Sequence, residues 1–160
     1  MRYDVWLALN KVIDYTAALN EFDGKNFAAI GSSQGGGTAI ALTYLNKKIS
    51  CMIVNVPGLC DHSGWKADRA DGWPAMHESM QGKADKVMPY FDGVNFASKI
   101  TVPAFVTAGF VDVTCPPSSV YAMYNQLAGK KTMYDLHRLG HSVPPEFNQL
   151  TADFYKAEFK

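Results

Sequence analysis

The chain has 160 residues, 48% of them hydrophobic, and its 15 basic residues balance 15 acidic ones. That length and composition suit one domain with its own core, and the even charge excludes the broad positive field that nucleic acid or an anionic membrane surface would select. Cys51, Cys60 and Cys115 are odd in number and lack metal-ligand spacing, so neither a disulfide scaffold nor a zinc site is expected, although one bridge stays open.

In chain order, Val5, Leu9, Val12, Ile13 and Thr16 fall at helical spacing and predict an amphipathic helix to about Leu19, closed by the turn signal "EFDGKN". Polar residues interrupt this segment too often for a secretory h-region. No window reaches the roughly 18 continuous apolar residues of a membrane helix. No address is visible, which leaves a cytoplasmic or a periplasmic setting open. "FAAIG" reads as a buried strand, Gln34 to Leu45 as a helix with an early Gly/Ala face, and "CMIVNV" as a second strand ended by Pro57.

Residues 58–90 are irregular and rich in Gly, Asp, His and Trp. A connection of that length reads as a lid, a binding loop or an oligomer contact. A short helix through "VNFASKI", a strand in "VPAFVTAGF", a helix in "PPSSVYAMYNQLAG", a strand in "KTMYDLHRL" and a helix in "PPEFNQLTADFYKAEF" follow. Alternating helices and continuous apolar strands predict an α/β fold, a parallel sheet of about four strands flanked by helices, within one domain over 1–160.

Gly31-Ser32-Ser33-Gln34-Gly35 fits G-x-S-x-G between a strand and a helix, the setting of a nucleophile elbow. Ser33 is expected at the strained corner, with Gly31 and Gly35 leaving room where a Cβ would clash. The bare pattern arises by chance in about one chain of this length in twenty. A serine hydroxyl needs a base, itself oriented by an acid. Asp112 follows the strand ending "TAGF", and His141 follows the next strand. The carboxyl ends of successive parallel strands share one sheet edge, so the three side chains can converge. The first helical N–H, at Gln34, would face a developing oxyanion.

Each residue also has a plain reading: the serines as helix caps, Asp112 as a turn residue, His141 as a solvated loop histidine. Together these need three coincidences in the right order at the right strand ends. His62, Trp65, Trp73 and His77 in the insertion would either offer stacking faces to a sugar ring or pack into the insertion's own small core. Cys115 reads as a buried small residue beside the acid loop rather than a second nucleophile.

With those residues placed, "GSSQGGG", "YFDGVNFASKI", "VDVTCPPSSVYAMYNQL" and "LGHS" resemble the acetyl xylan esterase and cephalosporin-C deacetylase family, carbohydrate esterase family seven. The resemblance runs from about Tyr3 to the C-terminus. It implies an α/β-hydrolase fold and removal of acetyl groups from acetylated sugars, such as xylo-oligosaccharides or cephalosporin C, through an acetyl-serine intermediate. It implies no metal or cofactor, triad roles for Ser33, Asp112 and His141, and an oxyanion donor at Gln34. The partner would be a small acetylated sugar, and the full-length protein a homo-oligomer. Ser142 departs from the acidic or aromatic residue the family usually places after its histidine. Family chains are longer, so this sequence is expected to correspond to their C-terminal half. It would lack the second oxyanion donor, and "FAAIG" would lack a neighbouring strand. A prolyl-oligopeptidase-like or dienelactone-type hydrolase shares this triad order, and an inactive remnant serving as an assembly or binding module is the reading from another class.

Overall fold

Each of the four expected strands forms in the computed structural model, which describes residues 3–159. β1 (Ala28–Ser32), β2 (Cys51–Asn55), β3 (Ala104–Gly109) and β4 (Lys131–Leu136) pair in parallel, in the order β1-β2-β3-β4. The register sets Ile30 beside Ile53 and Asn55 beside both Ser32 and Thr107. Because strand side chains alternate between faces, the continuous apolar runs supply two cores at once. Met52, Val54, Val106 and Ala108 face α2 (Gln34–Leu45), α4 (Gly93–Ala97) and α5 (Pro117–Gln126), together with Ile13 of α1 (Tyr3–Thr16). Cys51, Ile53 and Phe105 face Phe154 of α6 (Phe147–Glu158).

Helix ends differ from the sequence expectation for local reasons. The N–H groups of Ala18 and Leu19 bond carbonyls three residues back instead of four, so α1 tightens and stops at Thr16. Lys131 Nζ donates to the carbonyls of Tyr124, Asn125 and Leu127, which satisfies the end of α5 and closes it at Gln126. Pro144 and Pro145 stay outside α6, since a residue preceding proline is pushed away from helical geometry.

The insertion at 58–90 contains only short turns: 3-10 helices at Gly64–Ala67 and Met88–Phe91 and α3 at Met76–Ser79. The Asp92 carboxylate clasps its base, accepting from the N–H groups of Asp61 and His62 at 2.9 and 2.8 Å, while Gly93 N–H donates to the Leu59 carbonyl at 2.7 Å. The distal part folds back over α1 and α2. There Trp6 lies 5.6 Å from Phe91 and 5.7 Å from Phe96, in a cluster with Ala41, Leu59 and Trp73.

Candidate active site

Ser33 follows β1 directly and precedes the first residue of α2. Its φ of 56° and ψ of −124° lie in a region that a residue with a Cβ adopts only under constraint. The constraint is close packing behind the corner, where a Cβ on Gly31 would stand 2.1 Å from the Gly35 carbonyl oxygen. Gly35 itself does not carry the expected restriction, because a Cβ there meets nothing within 4 Å among the described residues. The tight helical positions are the next two, Gly36 against Pro57 and Gly37 against Gly58 and Leu59. The Ser33 carbonyl accepts from Gly37 N–H at 3.1 Å and from Gly58 N–H at 2.8 Å, which ties the corner both to its helix and to the root of the insertion.

Asp112 and His141 meet because their loops are joined through the backbone. Phe110 N–H donates to the Leu136 carbonyl, Val111 N–H to the Leu139 carbonyl, and a Cβ on Gly109 would stand 2.5 Å from the Gly140 oxygen. The Asp112 side chain is fully enclosed. Its Oδ1 accepts from the N–H groups of Thr114 and Cys115 at 2.8 and 2.9 Å, and its Oδ2 faces His141 Nδ1 at 2.8 Å. A carboxylate held this way only accepts, so the imidazole proton sits on Nδ1 and Nε2 is left as the acceptor. Nε2 lies 2.7 Å from Ser33 Oγ, on a half-buried side chain open to solvent from one side. The structure thus brings together the three residues named from the sequence, and Gln34 stands as the first residue of α2, whose leading N–H groups have no partner within the helix.

The insertion's aromatics are arranged differently. His62 is 4% exposed, with Nδ1 3.1 Å from the Pro74 carbonyl oxygen, and burial pushes its pKa below the ordinary imidazole value. Trp65 stacks on His77 at 3.7 Å. Both His62 and Trp65 line a small cavity of about 60 Å³ with Lys66, Met88 and Asn95, and no residue of the Ser33, Asp112 and His141 group lines it. Packing within the insertion, rather than a stacking face offered beside Ser33, is where these two rings go. Trp73 joins the Trp6 cluster, yet its ring also lies against Gly58, the residue bonded to Ser33. Cys51, Cys60 and Cys115 are buried free thiols, and burial pushes Cys115 up to about 12. Sequence reasoning passed over Asn55 and Thr107, both wholly buried and bonded to each other behind the site. Their signal is polarity within an otherwise apolar strand.

The acetyl xylan esterase (AXE1) family model matches residues 2–158. The chain belongs to the acetyl xylan esterase family. It is 34% identical over 130 residues to acetyl esterase Axe7A of Xylanibacter ruminicola, covering 79% of this chain and 30% of that one. The acetyl xylan esterase of Paenibacillus sp. R4 superposes with a TM-score of 0.85 at 29% identity, over 97% of this chain and 52% of that one. The acetyl xylan esterase 1 of Thermoanaerobacterium sp. JW/SL YS485 gives 0.83 at 23% identity, again over 97% and 52%, and shows the shared α/β-hydrolase fold. The chain therefore spans about half the length of these solved family members and less than a third of the curated one.

Proposed function

We propose that the chain is the part of a serine acetyl esterase that carries its nucleophile, base and acid. The observation that supports this most directly is the run of two short contacts, 2.7 Å from Ser33 Oγ to His141 Nε2 and 2.8 Å from His141 Nδ1 to Asp112 Oδ2. As Oγ attacks the acetyl carbonyl, its proton passes to Nε2, and the resulting imidazolium is stabilised by the enclosed carboxylate. Collapse of the tetrahedral species expels the sugar hydroxyl, which takes the proton from Nε2 and leaves acetyl-Ser33. Water deprotonated by Nε2 then releases acetate and restores Ser33.

The Gln34 N–H serves the oxyanion, and one such donor lowers the barrier by about 3 kcal/mol. A second donor belongs, on this reading, to the part of the relatives' length that this chain does not cover. The substrate class is an acetylated sugar, xylo-oligosaccharides first and cephalosporin C as a second acetyl ester, and the whole protein is read as a homo-oligomer. Of the insertion's aromatics, Trp73 is the best placed to touch that sugar, through its position at Gly58. The test compares acetate release from p-nitrophenyl acetate and acetylated xylose by the chain and by Ser33→Ala. Expected is a loss of about 10⁴-fold or more in the variant. A variant with full activity would remove Ser33 from the mechanism, and preference for a peptide anilide over the ester would favour a peptidase of the prolyl-oligopeptidase kind.

A further inference from the structure

Behind Ser33 and His141 lies a buried polar junction that proton transfer does not use. Asn55, the last residue of β2, is wholly enclosed. Its Nδ2 donates to Ser32 Oγ at 2.8 Å and to the Ser142 carbonyl at 3.2 Å, and its Oδ1 accepts from Thr107 Oγ1 at 2.6 Å. Thr107 Oγ1 in turn accepts from Val56 N–H at 3.2 Å.

The direction of every bond is fixed by backbone groups at the two ends. An N–H only donates and a carbonyl only accepts, so the Thr107 hydroxyl proton points to Oδ1, and the amide of Asn55 has one orientation. Four segments therefore meet at one side chain: the end of β1, the end of β2, β3, and the loop carrying His141. Ser32 and Ser142 are the immediate chain neighbours of Ser33 and His141.

Two further observations say that this junction works against resistance. Ser33 has φ 56° and Val56 has φ 38°, so a left-handed backbone stands directly after each of the two residues joined by the Ser32 to Asn55 bond. For β-branched Val56 that conformation is a genuine outlier, held only where surrounding bonds fix it. Residues 141–143 are exposed and outside regular secondary structure, a segment that relaxes unless anchored.

We propose that Asn55 is a positioning residue for the esterase reaction, with Thr107 orienting its amide. It holds Ser33 Oγ and His141 Nε2 at reacting separation by gripping the residue beside each. The inference rests on Ser33 as nucleophile. A misplacement of about 1 Å between such groups costs on the order of 10²-fold in rate.

The experiment uses the 160-residue chain, Asn55→Leu and Thr107→Val, with two readouts. One is the rate of Ser33 labelling by a fluorophosphonate. The other is the low-field proton resonance of His141 Nδ1–H, assigned by its loss in Asp112→Asn. Thr107→Val keeps the sheet bond from Val56 N–H to the Thr107 carbonyl, so it reports on the junction even if Asn55→Leu does not fold. Expected are a fall of about 30-fold in labelling with loss of the resonance for Asn55→Leu, and about 3-fold with a broadened resonance for Thr107→Val. A folded variant that labels at the parent rate with an unchanged resonance, and differs only in thermal midpoint, overturns the proposal. If the parent chain is not labelled at all, the hydrolase reading fails and the catalytic part of the proposal fails with it, and the resonance then decides only whether Asn55 holds His141 in place: persistence in the variants refutes that hold, loss supports it.

Discussion

Ile30 and Ile53 are register partners on neighbouring strands and face the same side of the sheet, yet Ile53 is completely enclosed and Ile30 is 49% exposed. The contrast divides the molecule at β1. β2 and β3 are covered on both faces, by α2, α4 and α5 on one and α6 on the other, and the buried polar groups Asn55, Thr107 and Asp112 all have partners. At β1, which pairs only with β2 among the described strands, an apolar groove of about 500 Å³ runs between α1 and α2, lined by Val5, Leu9, Phe27, Ile30 and Leu42. The acid and base of the proposed reaction follow β3 and β4, away from that groove, and the nucleophile follows β1 beside it.

The largest effect expected on the covered side is functional. In Asp112→Asn the side chain can no longer accept at every position where it now faces N–H groups, and kcat for p-nitrophenyl acetate should fall by about 10³- to 10⁴-fold. A loss under tenfold would mean that the imidazole is held by something other than this carboxylate.

Next in size is a stability difference between the two isoleucines. Ile53→Ala should cost about 3 to 4 kcal/mol in urea unfolding, because the emptied space sits among Cys51, Phe105 and Phe154 and cannot collapse freely. Ile30→Ala should cost under about 1 kcal/mol, as its side chain is half in water already. Equal costs would erase the boundary at β1.

A third effect is in alkaline solution. Burial pushes Cys51 and Cys115 up to about 12, and Tyr155 likewise. The folded state keeps protons that the unfolded chain gives up near pH 8.5 for its thiols, so the unfolded state binds fewer protons and stability falls as pH rises from about 8.5 towards 12. Urea midpoints measured across that window should decline, and Cys51→Val with Cys115→Ala should flatten the slope. A flat profile in the parent chain would mean that these thiols are not enclosed.

Much of this could be read from residue pattern. Continuous apolar runs locate β1, β2 and β3, while β4 carries Lys131, Thr132 and Asp135 and stays partly exposed, and the order of Ser33, Asp112 and His141 puts all three at one sheet edge. What escaped has a common physical origin. Periodicity reports burial but not partners, so Asn55 and Thr107 read as ordinary members of their strands, and for His62 and Trp65 it leaves a stacking face and packing within the insertion both open, of which the structure shows packing. Gly35 is part of the elbow pattern, but contact distances put the steric demand on Gly31, Gly36 and Gly37. The premature end of α1 and the late start of α6 turn on single hydrogen bonds and on proline geometry, which a spacing rule averages over.

The clasp at Asp92 and Gly93 gives the insertion a closed base, tied to the body of the molecule both where it leaves and where it returns. Its two ends are pinned to each other by bonds from Asp61, His62 and Gly93, and its first residues are pinned to the nucleophile by Gly58 N–H. Residues 63–91 are held from within as well: the Trp73 carbonyl accepts from Leu59 N–H at 2.7 Å, a Cβ on Gly72 would stand 1.5 Å from the Cys60 oxygen, and Phe91 packs on Trp6.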